Sequence, residues 1–522
     1  MDFRREAALE AAELLTESMD AGGLQRLKTE LSKKWSLAGA LSNSEILAAL
    51  PAEKKTPRLL ALLKKRPMRT ASGVAPVAVM SLSDCPHGRC SYCPKGEGAP
   101  NAYTGCEPAT MRGKQYGFDP FAQTRARIAQ LQAIGHATDK IELIIQGGTF
   151  PWMHAEYKKN FIKRCFDALN EDERGAESIE AAHAKNERAR HRCVGLTIET
   201  RPDWCRTHHI DEFLAWGTTR VELGVQVLSD EIYRKVNRGH SLKDVIDATR
   251  ALKDSGLKVL YHMMPGLWQG KEEDIEDFRR LFEDEAFRPD MLKIYPCLVL
   301  RGTRLYEEWM RGEFRPYDTE EAAEVISEAL RFVPPWCRVM RITRDIPENL
   351  IVAGVKKNNL RQLVEERMRA KGFACRCIRC REVGLRKLKH GIEPKLERAK
   401  LKRIEYAASG GKEVFLSFED EATDTLYAFL RLRLPAEPHR EELREASVVR
   451  ELHVYGRALE LGKREAGEVQ HAGLGSRLLA EAENISRAWG VRKMAVMSGV
   501  GVREYYFERG FKRDGPYVSK EL

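Results

Sequence analysis

The sequence predicts an α/β protein in which a full or partial parallel barrel is followed by a zinc-binding linker and a separate α+β domain. Between residues 74 and 345, short apolar or β-branched runs alternate with helical patterns, which is typical of a parallel sheet. The segment CRCIRC then groups three cysteines, and such a group suits a metal site. From about residue 401, EVFLSFEDEATDTLYAFLRLRL predicts two antiparallel strands, which a further strand and an amphipathic helix follow.

The 522 residues divide into four predicted regions. These are a basic helical region (1–73), the barrel (74–345), the linker (346–400) and the α+β domain (401–522). No signal peptide and no run of about 18 apolar residues is present, so we expect neither secretion nor a membrane span. Twelve cysteines without a secretion signal indicate a reducing, cytoplasmic setting in which clustered cysteines bind metal.

The predicted strand ends carry the polar residues that we expect in the site, because barrel chemistry gathers where strands end and loops begin. Gly147 and Gly148 follow the strand IELIIQ, Glu199 and Arg201 end VGLTIET, and Gln226 ends RVELGVQ. The alternative for Glu199 and Arg201 is an ion pair inside the barrel, and the alternative for Gln226 is a core amide. His262, in the strand KVLYHM, has apolar neighbours and is expected to be a core residue.

A cysteine triplet follows the first barrel strand, where CPHGRCSYC places Cys85, Cys90 and Cys93 in one loop. Three thiolates can bind three irons of a [4Fe–4S] cluster and leave the fourth iron open to S-adenosylmethionine. The alternative is a zinc site that His87 completes. The position directly after a barrel strand and before a glycine-rich strand end favours the iron–sulfur cluster.

A longer series of motifs carries a family resemblance. The series comprises MRTASGVAPVAVMS, CPHGRCSYCPKG, YTGCEPATMRG, IIQGGTF, GLTIETRPDWC, VELGVQVLSDEIYRKVNRGH, HMMPG and IYPCLVLRGT. From about residue 65 onward, the chain resembles the catalytic subunits of the Elongator tRNA-modifying complex in their stand-alone prokaryotic form. The resemblance implies a radical S-adenosylmethionine (SAM) domain joined to an acetyltransferase-like domain. The cysteine spacing of four and then two residues departs from the three and two that radical SAM enzymes most often show.

The resemblance also implies roles for individual residues. It makes the three cysteines the cluster ligands. It places the methionyl amino group of SAM at the glycine-rich end of the strand IELIIQ. The ribose hydroxyls and the methionyl carboxylate would contact Glu199 and Arg201. The implied SAM contacts are Gly147, Gly148, Thr149, Glu199, Arg201 and Gln226.

An acetyl-CoA site is predicted in the last domain, where QHAGLG at residues 470–475 fits the phosphate loop of GNAT acetyltransferases. Its glycines and the following helix N-terminus direct backbone N–H groups at a pyrophosphate. Tyr506 can donate a phenol proton to the thioester or its sulfur, and half-buried packing is the alternative for both Tyr505 and Tyr506. One of the two is expected only to pack, and the resemblance makes Tyr506 the ligand contact and the catalytic residue. The predicted acetyl-CoA contacts are Glu451, Leu452, His453, Val454, Leu474, Gly475, Ser476 and Tyr506, with Lys140 added by the resemblance.

A second cysteine triplet, Cys375, Cys377 and Cys380, predicts a structural zinc site in the linker. Cys337 is the first candidate for the fourth ligand and His390 is the second. Three free surface thiols and a second iron–sulfur cluster are the alternatives. The remaining cysteines, Cys106, Cys165, Cys193, Cys205 and Cys297, are scattered and are expected to be small core residues.

Two basic runs predict contacts with tRNA phosphates, in keeping with a net charge of +10. A solvated charged face is the alternative for each run. The first run is the predicted tRNA-binding segment, Lys64, Lys65, Arg66 and Arg69. The second surrounds the CRCIRC segment and comprises Arg376, Arg379, Arg381, Arg386, Lys387 and Lys389.

The implied function is the formation of 5-carboxymethyluridine at the wobble uridine of tRNA from SAM-derived radical chemistry and acetyl-CoA. An unpaired wobble base can turn into a pocket. One alternative is a protein-lysine acetyltransferase whose iron–sulfur domain is structural, and another is a tRNA-binding scaffold without turnover. The electron donor and the oligomeric state stay open, with a homodimer as one assembly.

Overall fold

The structure is a computed structural model that describes residues 3–37, 39–63, 70–455 and 473–522. The first basic run, Lys64, Lys65, Arg66 and Arg69, lies outside the described residues, as do residues 470–472 of the predicted phosphate loop. Within the described part of the chain, no helix combines the length and the apolar character that crossing a membrane requires.

The N-terminal region is helical, as predicted. Its helices are α1 (Phe3–Leu14), α2 (Ala21–Lys34), α3 (Asn43–Ala49) and α4 (Pro57–Leu63). They bury their own apolar cluster, which includes Ala11, Leu31 and Ile46. A capping box between Ser42 and Glu45 starts α3 and satisfies two backbone donors.

Seven parallel strands form the barrel, and each corresponds to one of the predicted runs. In spatial order they are β1 (Ala75–Met80), β2 (Lys140–Gln146), β3 (Arg192–Thr200), β4 (Arg220–Gln226), β5 (Lys258–Met263), β6 (Met291–Ile294) and β8 (Arg338–Arg341). Because β1 and β8 are both edges, the barrel is partial. A small antiparallel pair, β7 (Val299–Leu300) and β9 (Ile351–Ala353), lies outside it.

Helices alternate with these strands and cover the sheet. They are α5 (Pro108–Gln115), α6 (Pro120–Ala133), α7 (Ala155–Leu169), α8 (Ile179–Asn186), α9 (Thr207–Ala215), α10 (Asp230–Lys235), α11 (Leu242–Asp254), α12 (Lys271–Glu283), α13 (Arg304–Met310) and α14 (Thr319–Ala329). In α11, Val245, Ala248 and Leu252 recur at helical spacing and are buried, which explains why this segment is a helix that packs on the sheet.

The linker is helical and carries the second cysteine triplet. It contains α15 (Leu360–Ala370), α16 (Ile378–Arg381) and α17 (Val383–His390). α17 ends at Gly391, which adopts a left-handed conformation that favours glycine.

Within the described residues of the C-terminal domain, seven strands form a second sheet. Its strands are β10 (Lys400–Ala408), β11 (Gly411–Asp420), β12 (Thr425–Leu434), β13 (Ala446–Val454), β14 (Lys493–Val496), β15 (Lys512–Asp514) and β16 (Tyr517–Glu521), in the order β10-β11-β12-β13-β14-β16-β15. The helices are α18 (Leu474–Ala488) and α19 (Arg503–Phe507). The predicted antiparallel pair is β11 and β12, whereas β10, β15 and β16 were not predicted.

A buried ionic network joins the barrel to the C-terminal domain. Arg450 on β13 donates to Asp290, just before β6, and to Glu413 on β11, at 3.0 and 2.9 Å. Arg433 on β12 donates to Asp254 at the end of α11 over 2.8 Å. All five side chains are buried, so each charge depends on its partners across the interface.

Candidate functional site

The predicted site residues of the barrel meet in one cavity at the carboxyl ends of the strands. The loop after β1 supplies the three cysteines, and the ends of β2, β3 and β4 supply the polar groups. The cavity wall includes Cys85, Cys90, Cys93, Gly147, Gly148, Thr149, Glu199, Arg201 and Gln226. Tyr295, directly after β6, and Arg341 on β8 line the same cavity, because the sheet curls around it.

Hydrogen-bond donors surround the cysteine loop. The Thr149 hydroxyl donates to Cys85 Sγ over 3.3 Å, and His87 Nε2 lies 3.3 Å from Cys90 Sγ. Burial and the neighbouring thiols Cys90 and Cys85 raise the pKa of Cys93 to about 12. Iron binding displaces such protons, and N–H and O–H donors around the sulfurs then adjust the properties of a cluster.

The distances between the sulfur atoms differ between the two cysteine triplets. In the linker, the Sγ atoms of Cys375, Cys377 and Cys380 lie within 4.8 Å of one another, and those of Cys377 and Cys380 are 3.7 Å apart. A tetrahedral zinc with bonds of about 2.3 Å places its sulfurs roughly 3.8 Å apart. Among the described residues, the triplet in the barrel forms no such tight group. The linker triplet therefore has the geometry of a mononuclear site.

The glycine pair after β2 permits the close approach of two loops of the chain. A Cβ at Gly147 would lie 2.4 Å from Ser83 Oγ, and a Cβ at Gly148 would lie 2.5 Å from the Ser83 carbonyl oxygen. We expected these glycines to admit a ligand and Thr149 to accept from its amino group. The structure shows that the glycines also hold the cysteine loop against the end of β2.

Among the buried polar atoms of the cavity wall that have no partner within the described residues, one belongs to Arg201 and one to Gln226, both predicted SAM contacts. Arg201 uses Nε and Nη2 to bind Asp203 at 2.9 and 2.8 Å, while its buried Nη1 binds nothing. The Oε1 atom of Gln226 is likewise buried and unbound. Gln226 also has a φ of +77°, which a non-glycine residue rarely adopts. Together they offer one donor and one acceptor to a ligand.

Glu199 is held by three groups of the chain. Its carboxylate accepts from Tyr103 Oη, Gln146 Nε2 and Lys293 Nζ at 3.0, 3.1 and 3.2 Å. Lys293 also pairs with Glu222. The ion pair inside the barrel, which was the alternative for this residue, is therefore present, and its role in SAM binding stays a prediction.

The strand β13 has an open edge where acetyl-CoA was predicted. β13 pairs with β14 only over 446–449 but with β12 as far as Val454. Among the described residues, the second edge of 451–454 has no strand partner. The start of α18 lies beside this edge, because a Cβ at Gly475 would be 3.5 Å from Val454 Cγ2. Strand backbone and helix N-terminus therefore face a common space.

Most of the predicted side chains around this edge already have partners. Glu451 accepts from Arg431 Nε over 2.8 Å, and His453 Nε2 donates to the Ser72 carbonyl over 3.1 Å. Leu452, Val454 and Lys140 are partly exposed, and Ser476 is exposed. Burial lowers the pKa of Lys140. The backbone of β13, and not these polar side chains, is what the strand offers to a ligand.

The two tyrosines of α19 have different surroundings. The Tyr505 hydroxyl lies 2.7 Å from the place that a Cβ at Gly475 would take, and Arg509 stacks on its ring at 3.6 Å. Tyr506 is buried against Phe511, and burial raises the pKa of its hydroxyl. The tyrosine beside the N-terminus of α18 is therefore Tyr505. This is the residue that was expected only to pack, with Tyr506 as the ligand contact.

Comparison with known proteins decides the family. A model described as the Radical SAM superfamily matches residues 80–282, a Radical_SAM C-terminal domain matches 289–370, and an ELP3 N-terminal domain matches 7–71. A Methanocaldococcus infernus protein named tRNA uridine(34) acetyltransferase is 53% identical over 519 residues, covering 97% of this chain and 96% of its own. Human Elongator complex protein 3 is 44% identical over 514 residues, covering 96% and 93%.

A solved structure of M. infernus Elp3, lacking its residues 1–46, matches 86% of this chain and all of its own, with 52% identity and a TM-score of 0.77. This chain belongs to the Elongator protein 3 (Elp3) family. Its barrel is a radical SAM domain, and a radical SAM domain implies a [4Fe–4S] cluster and SAM. The cysteine loop and the two unbound polar atoms of this Elp3-family chain fit that pair of cofactors.

Several residues on the cavity wall of this Elp3-family chain were not predicted. His262 was expected in the core, but it lines the cavity, and its Nε2 lies 2.8 Å from Glu222. Lys293 lies between Glu222 and Glu199, so an ammonium group occupies the centre of these acids. The alternation of RVELGVQ, with polar residues at every second position, was a signal for a polar barrel interior.

Other expectations for the Elp3-family chain need correction or stay open. Arg381 was placed on a basic surface, but it is buried and donates to the Pro335 and Arg376 carbonyls. Cys106 was expected in the core and is exposed. The Sγ of Cys337 is buried and lies outside the tight sulfur group, although the Cys337 carbonyl accepts from the Ile378 N–H. The exposed His390 also lies outside that group, so the fourth ligand stays a prediction.

Proposed function

We propose that this Elp3-family chain uses SAM and acetyl-CoA to form 5-carboxymethyluridine at the wobble uridine of tRNA. The observation that carries the proposal is the cavity that gathers three cysteines with an unbound guanidinium nitrogen and an unbound amide oxygen. The name of the archaeal relative, tRNA uridine(34) acetyltransferase, points to the same nucleoside. A modified base must leave its stack to be reached, and an unpaired anticodon base does so at low energetic cost.

The radical SAM site would use this chain's residues to bind and orient SAM. Cys85, Cys90 and Cys93 would hold a [4Fe–4S] cluster, which would pass one electron from a donor to SAM and so make a hydrogen-abstracting radical available. Arg201 Nη1 would donate to the methionyl carboxylate, and Gln226 Oε1 would accept from a hydroxyl or amino group. The buried wall keeps water away from reactive species.

The acetyl-CoA site would lie between β13 and α18 of a GNAT-like domain. The open edge of β13 suits the amide-bearing pantetheine arm, which can pair with it as an added strand does. The first N–H groups of the 15-residue helix α18 suit the pyrophosphate. The acetyl group would be joined to C5 of uridine through its methyl carbon. One methyl hydrogen would pass to the 5′-deoxyadenosyl radical, and the C5 hydrogen would leave as a proton while its electron returns to the oxidised cluster. Water would then cleave the thioester and leave the carboxylate and free CoA.

The linker triplet would bind a structural zinc. The sulfurs of Cys375, Cys377 and Cys380 lie within 4.8 Å of one another, and the 3.7 Å between Cys377 and Cys380 matches two corners of a zinc tetrahedron. The site joins α16 to the loop after α15, so the metal would fix the linker between the two large domains. Arg376, whose side chain is exposed beside it, would be available to tRNA phosphate.

The test is an anaerobic incubation of reconstituted protein with tRNA, SAM, a one-electron reductant and acetyl-CoA deuterated in its methyl group. Mass spectrometry should detect 5-carboxymethyluridine that retains deuterium, and deuterium should appear in 5′-deoxyadenosine. Unlabelled 5′-deoxyadenosine, or an acetylated nucleoside with an intact deuterated methyl group, would contradict attachment through the methyl carbon.

The protein-lysine acetyltransferase alternative is separated by Cys90→Ser. We expect this variant to lose the absorbance of the cluster and all carboxymethyluridine, while it still binds CoA. Cys106→Ser removes an exposed thiol and serves as the matched control, with unchanged cluster content and activity. Full acetyl transfer to protein lysine by Cys90→Ser would favour the alternative.

A further inference from the structure

His262 is a partly buried histidine on the cavity wall that no predicted cofactor contact uses. It lies on β5, and its Nε2 is 2.8 Å from the carboxylate of Glu222 on β4. Its side chain is 17% exposed, and among the described residues no group forms a hydrogen bond with its Nδ1. A carboxylate only accepts hydrogen bonds, so Nε2 carries the proton and Nδ1 is the basic nitrogen. The imidazole therefore has a free lone pair at the cavity wall.

Glu222 is a suitable partner for an imidazole that takes up a proton. It is fully buried, and besides His262 it pairs with Lys293 on β6 and with Arg220 at the start of β4. Burial opposes its charge, but Lys293, the His262 hydrogen bond and Arg220 hold the pKa of this carboxyl well below its usual range. Glu222 thus stays a carboxylate, which orients the imidazole and stabilises its protonated form.

These side chains lie deeper in the barrel than the predicted SAM contacts. Glu222 comes before Gln226 on the same strand, on the side of Arg220. Arg220 lies close enough to Glu451 on β13 that the two charges interact. The group therefore lies between the strand ends that would bind SAM and the strand edge that would bind acetyl-CoA. The cavity has a volume of about 1170 Å³, whereas a pocket for one small ligand has about 300–1,000 Å³, so there is room for a nucleobase beside SAM.

The proposed reaction needs a base in this place. Once the acetyl methyl carbon has bonded to C5 of uridine, the C5 hydrogen must leave as a proton before the ring regains its double bond. The C–H bonding pair and the unpaired electron of the ring are three electrons. Two of them re-form the double bond between C5 and C6, and the third returns to the oxidised cluster. A positioned base speeds such a proton transfer by about 10²–10⁴-fold.

We propose that His262 is the general base that takes the C5 proton of uridine on its Nδ1, and that Glu222 is its positioning residue. The inference rests on the proposed function and assigns a residue to the uridine part of the same cavity. Lys293 is an ammonium group between two carboxylates, and Glu199 already accepts from three groups. Within this described group, His262 is thus the residue that offers a free basic atom.

The test is a single-turnover incubation of the reconstituted full chain with SAM, reductant, acetyl-CoA and tRNA that carries hydrogen or deuterium at C5 of uridine. His262→Gln keeps an N–H donor for Glu222 and removes the basic nitrogen. We expect this variant to form 5′-deoxyadenosine within about twofold of wild type but carboxymethyluridine about 100-fold more slowly. Deuterium at C5 should slow the variant more than wild type, because proton removal becomes the slow step.

A trapped product gives a second measurement. In His262→Gln the ring radical persists, so one electron from the reductant and one proton from water should convert it to a 5,6-dihydrouridine product. Mass spectrometry recognises this nucleoside by its two extra hydrogens and its retained C5 deuterium. Free imidazole should restore carboxymethyluridine formation by His262→Ala about tenfold, which a merely structural role would not allow.

His439→Gln is the matched control. The Nε2 atom of His439 lies 2.9 Å from Asp211, which is the same kind of contact, but His439 does not line the cavity. We expect this variant to form both products at wild-type rates with the wild-type isotope effect.

The outcomes separate the role of His262 from the proposed function. Carboxymethyluridine formation by His262→Gln within about fivefold of wild type, or equal isotope effects in the two proteins, would overturn the role. Parallel loss of 5′-deoxyadenosine and carboxymethyluridine would assign His262 to cofactor binding and would also overturn it. Wild-type protein that splits SAM and forms no carboxymethyluridine would contradict the proposed function itself, and the role of His262 with it.

Discussion

Arg201 and Gln226 each hold one buried polar atom that no described group of the chain satisfies. Native proteins satisfy nearly all such atoms, so an exception on a cavity wall points to a ligand. Glu199, by contrast, has its oxygens occupied by Tyr103, Gln146 and Lys293. At the scale of single residues, the hydrogen bonds therefore show which predicted SAM contacts still have an atom free for a ligand, and the residue type alone does not show this.

The two tyrosines of α19 should differ in function. Burial raises the pKa of the Tyr506 phenol, so the hydroxyl keeps its proton and can donate a hydrogen bond to the thioester. We expect Tyr506→Phe to lower the single-turnover rate about 100-fold with unchanged CoA affinity. Tyr505→Phe should weaken CoA binding severalfold, because its hydroxyl lies beside Gly475. Calorimetry with CoA and quenched-flow rates check both, and the opposite pattern would transfer the catalytic role to Tyr505.

A buried acid on α12 should make the stability of the fold depend on pH. Burial raises the pKa of Asp274 to about 7, although the Tyr317 hydroxyl and the Gly266 N–H donate to it. The folded form therefore holds a proton between about pH 4 and pH 7 that the unfolded form releases. The stabilisation is full below about pH 4 and is lost as the pH rises through 7.

Asp274→Asn should remove this dependence, because the amide oxygen accepts the same two hydrogen bonds without a charge. Relative to the variant, we expect the wild-type free energy of unfolding to fall by about 4 kcal/mol between pH 4 and pH 8. Urea denaturation across this range measures it. Parallel curves for the two proteins would contradict the shifted carboxyl group.

At the scale of elements, the separation of β13 from β14 creates the candidate acetyl-CoA site. The two strands pair over only four register positions, 446–449, before they diverge. The start of α18 closes one end of the resulting space beside Val454. The strand β13 and the N-terminus of α18 thus offer the two kinds of backbone group that the cofactor needs, which are a free strand edge for the pantetheine arm and N–H groups for the pyrophosphate.

Gly475 should be required for this geometry. Gly475→Ala brings a methyl group to 2.7 Å from the Tyr505 hydroxyl, so the first turn of α18 or the tyrosine must move. We expect about tenfold weaker CoA binding with little change in thermal stability. The double variant with Tyr505→Phe removes the clash and should recover part of the affinity, which a double-mutant cycle by calorimetry measures. Strict additivity of the two changes would place the effect elsewhere.

At the scale of the whole molecule, buried charges make the two large domains depend on each other. Arg450 and Arg433 from the C-terminal sheet meet Asp290 and Asp254 from the barrel region, and Glu413 bridges the two arginines. Removing one partner of a buried ion pair leaves an uncompensated charge. The same contacts hold β13, and with it the candidate acetyl-CoA site, at a fixed distance from the barrel.

Arg450→Met should therefore destabilise the protein by about 3–5 kcal/mol, because Asp290 and Glu413 lose one of the two buried cations that they share, the other being Lys253. Adding Glu413→Gln removes one uncompensated charge and should recover part of the loss. Arg403→Met on the exposed β10 pair with Glu405 is the control and should change stability by less than about 0.5 kcal/mol. Urea unfolding followed by circular dichroism measures all three. Equal effects of Arg450→Met and Arg403→Met would contradict the role of the network.

The sequence by itself determined the barrel strands, the two cysteine triplets and the strand-end residues Gly148, Arg201 and Gln226. These follow from local patterns, because strand periodicity and cysteine spacing are properties of short segments. The family resemblance, confirmed by the comparisons, added the radical SAM identity.

Only the tertiary structure decided which side chains share the cavity and which partners they have. His262, Glu222 and Lys293 meet because parallel strands come into register through long-range pairing, which no local pattern specifies. Arg381 became buried, and Arg238 came to lie beside Cys90, for the same reason. Burial and unpaired charge depend on what the rest of the chain places nearby, so they are properties of the fold.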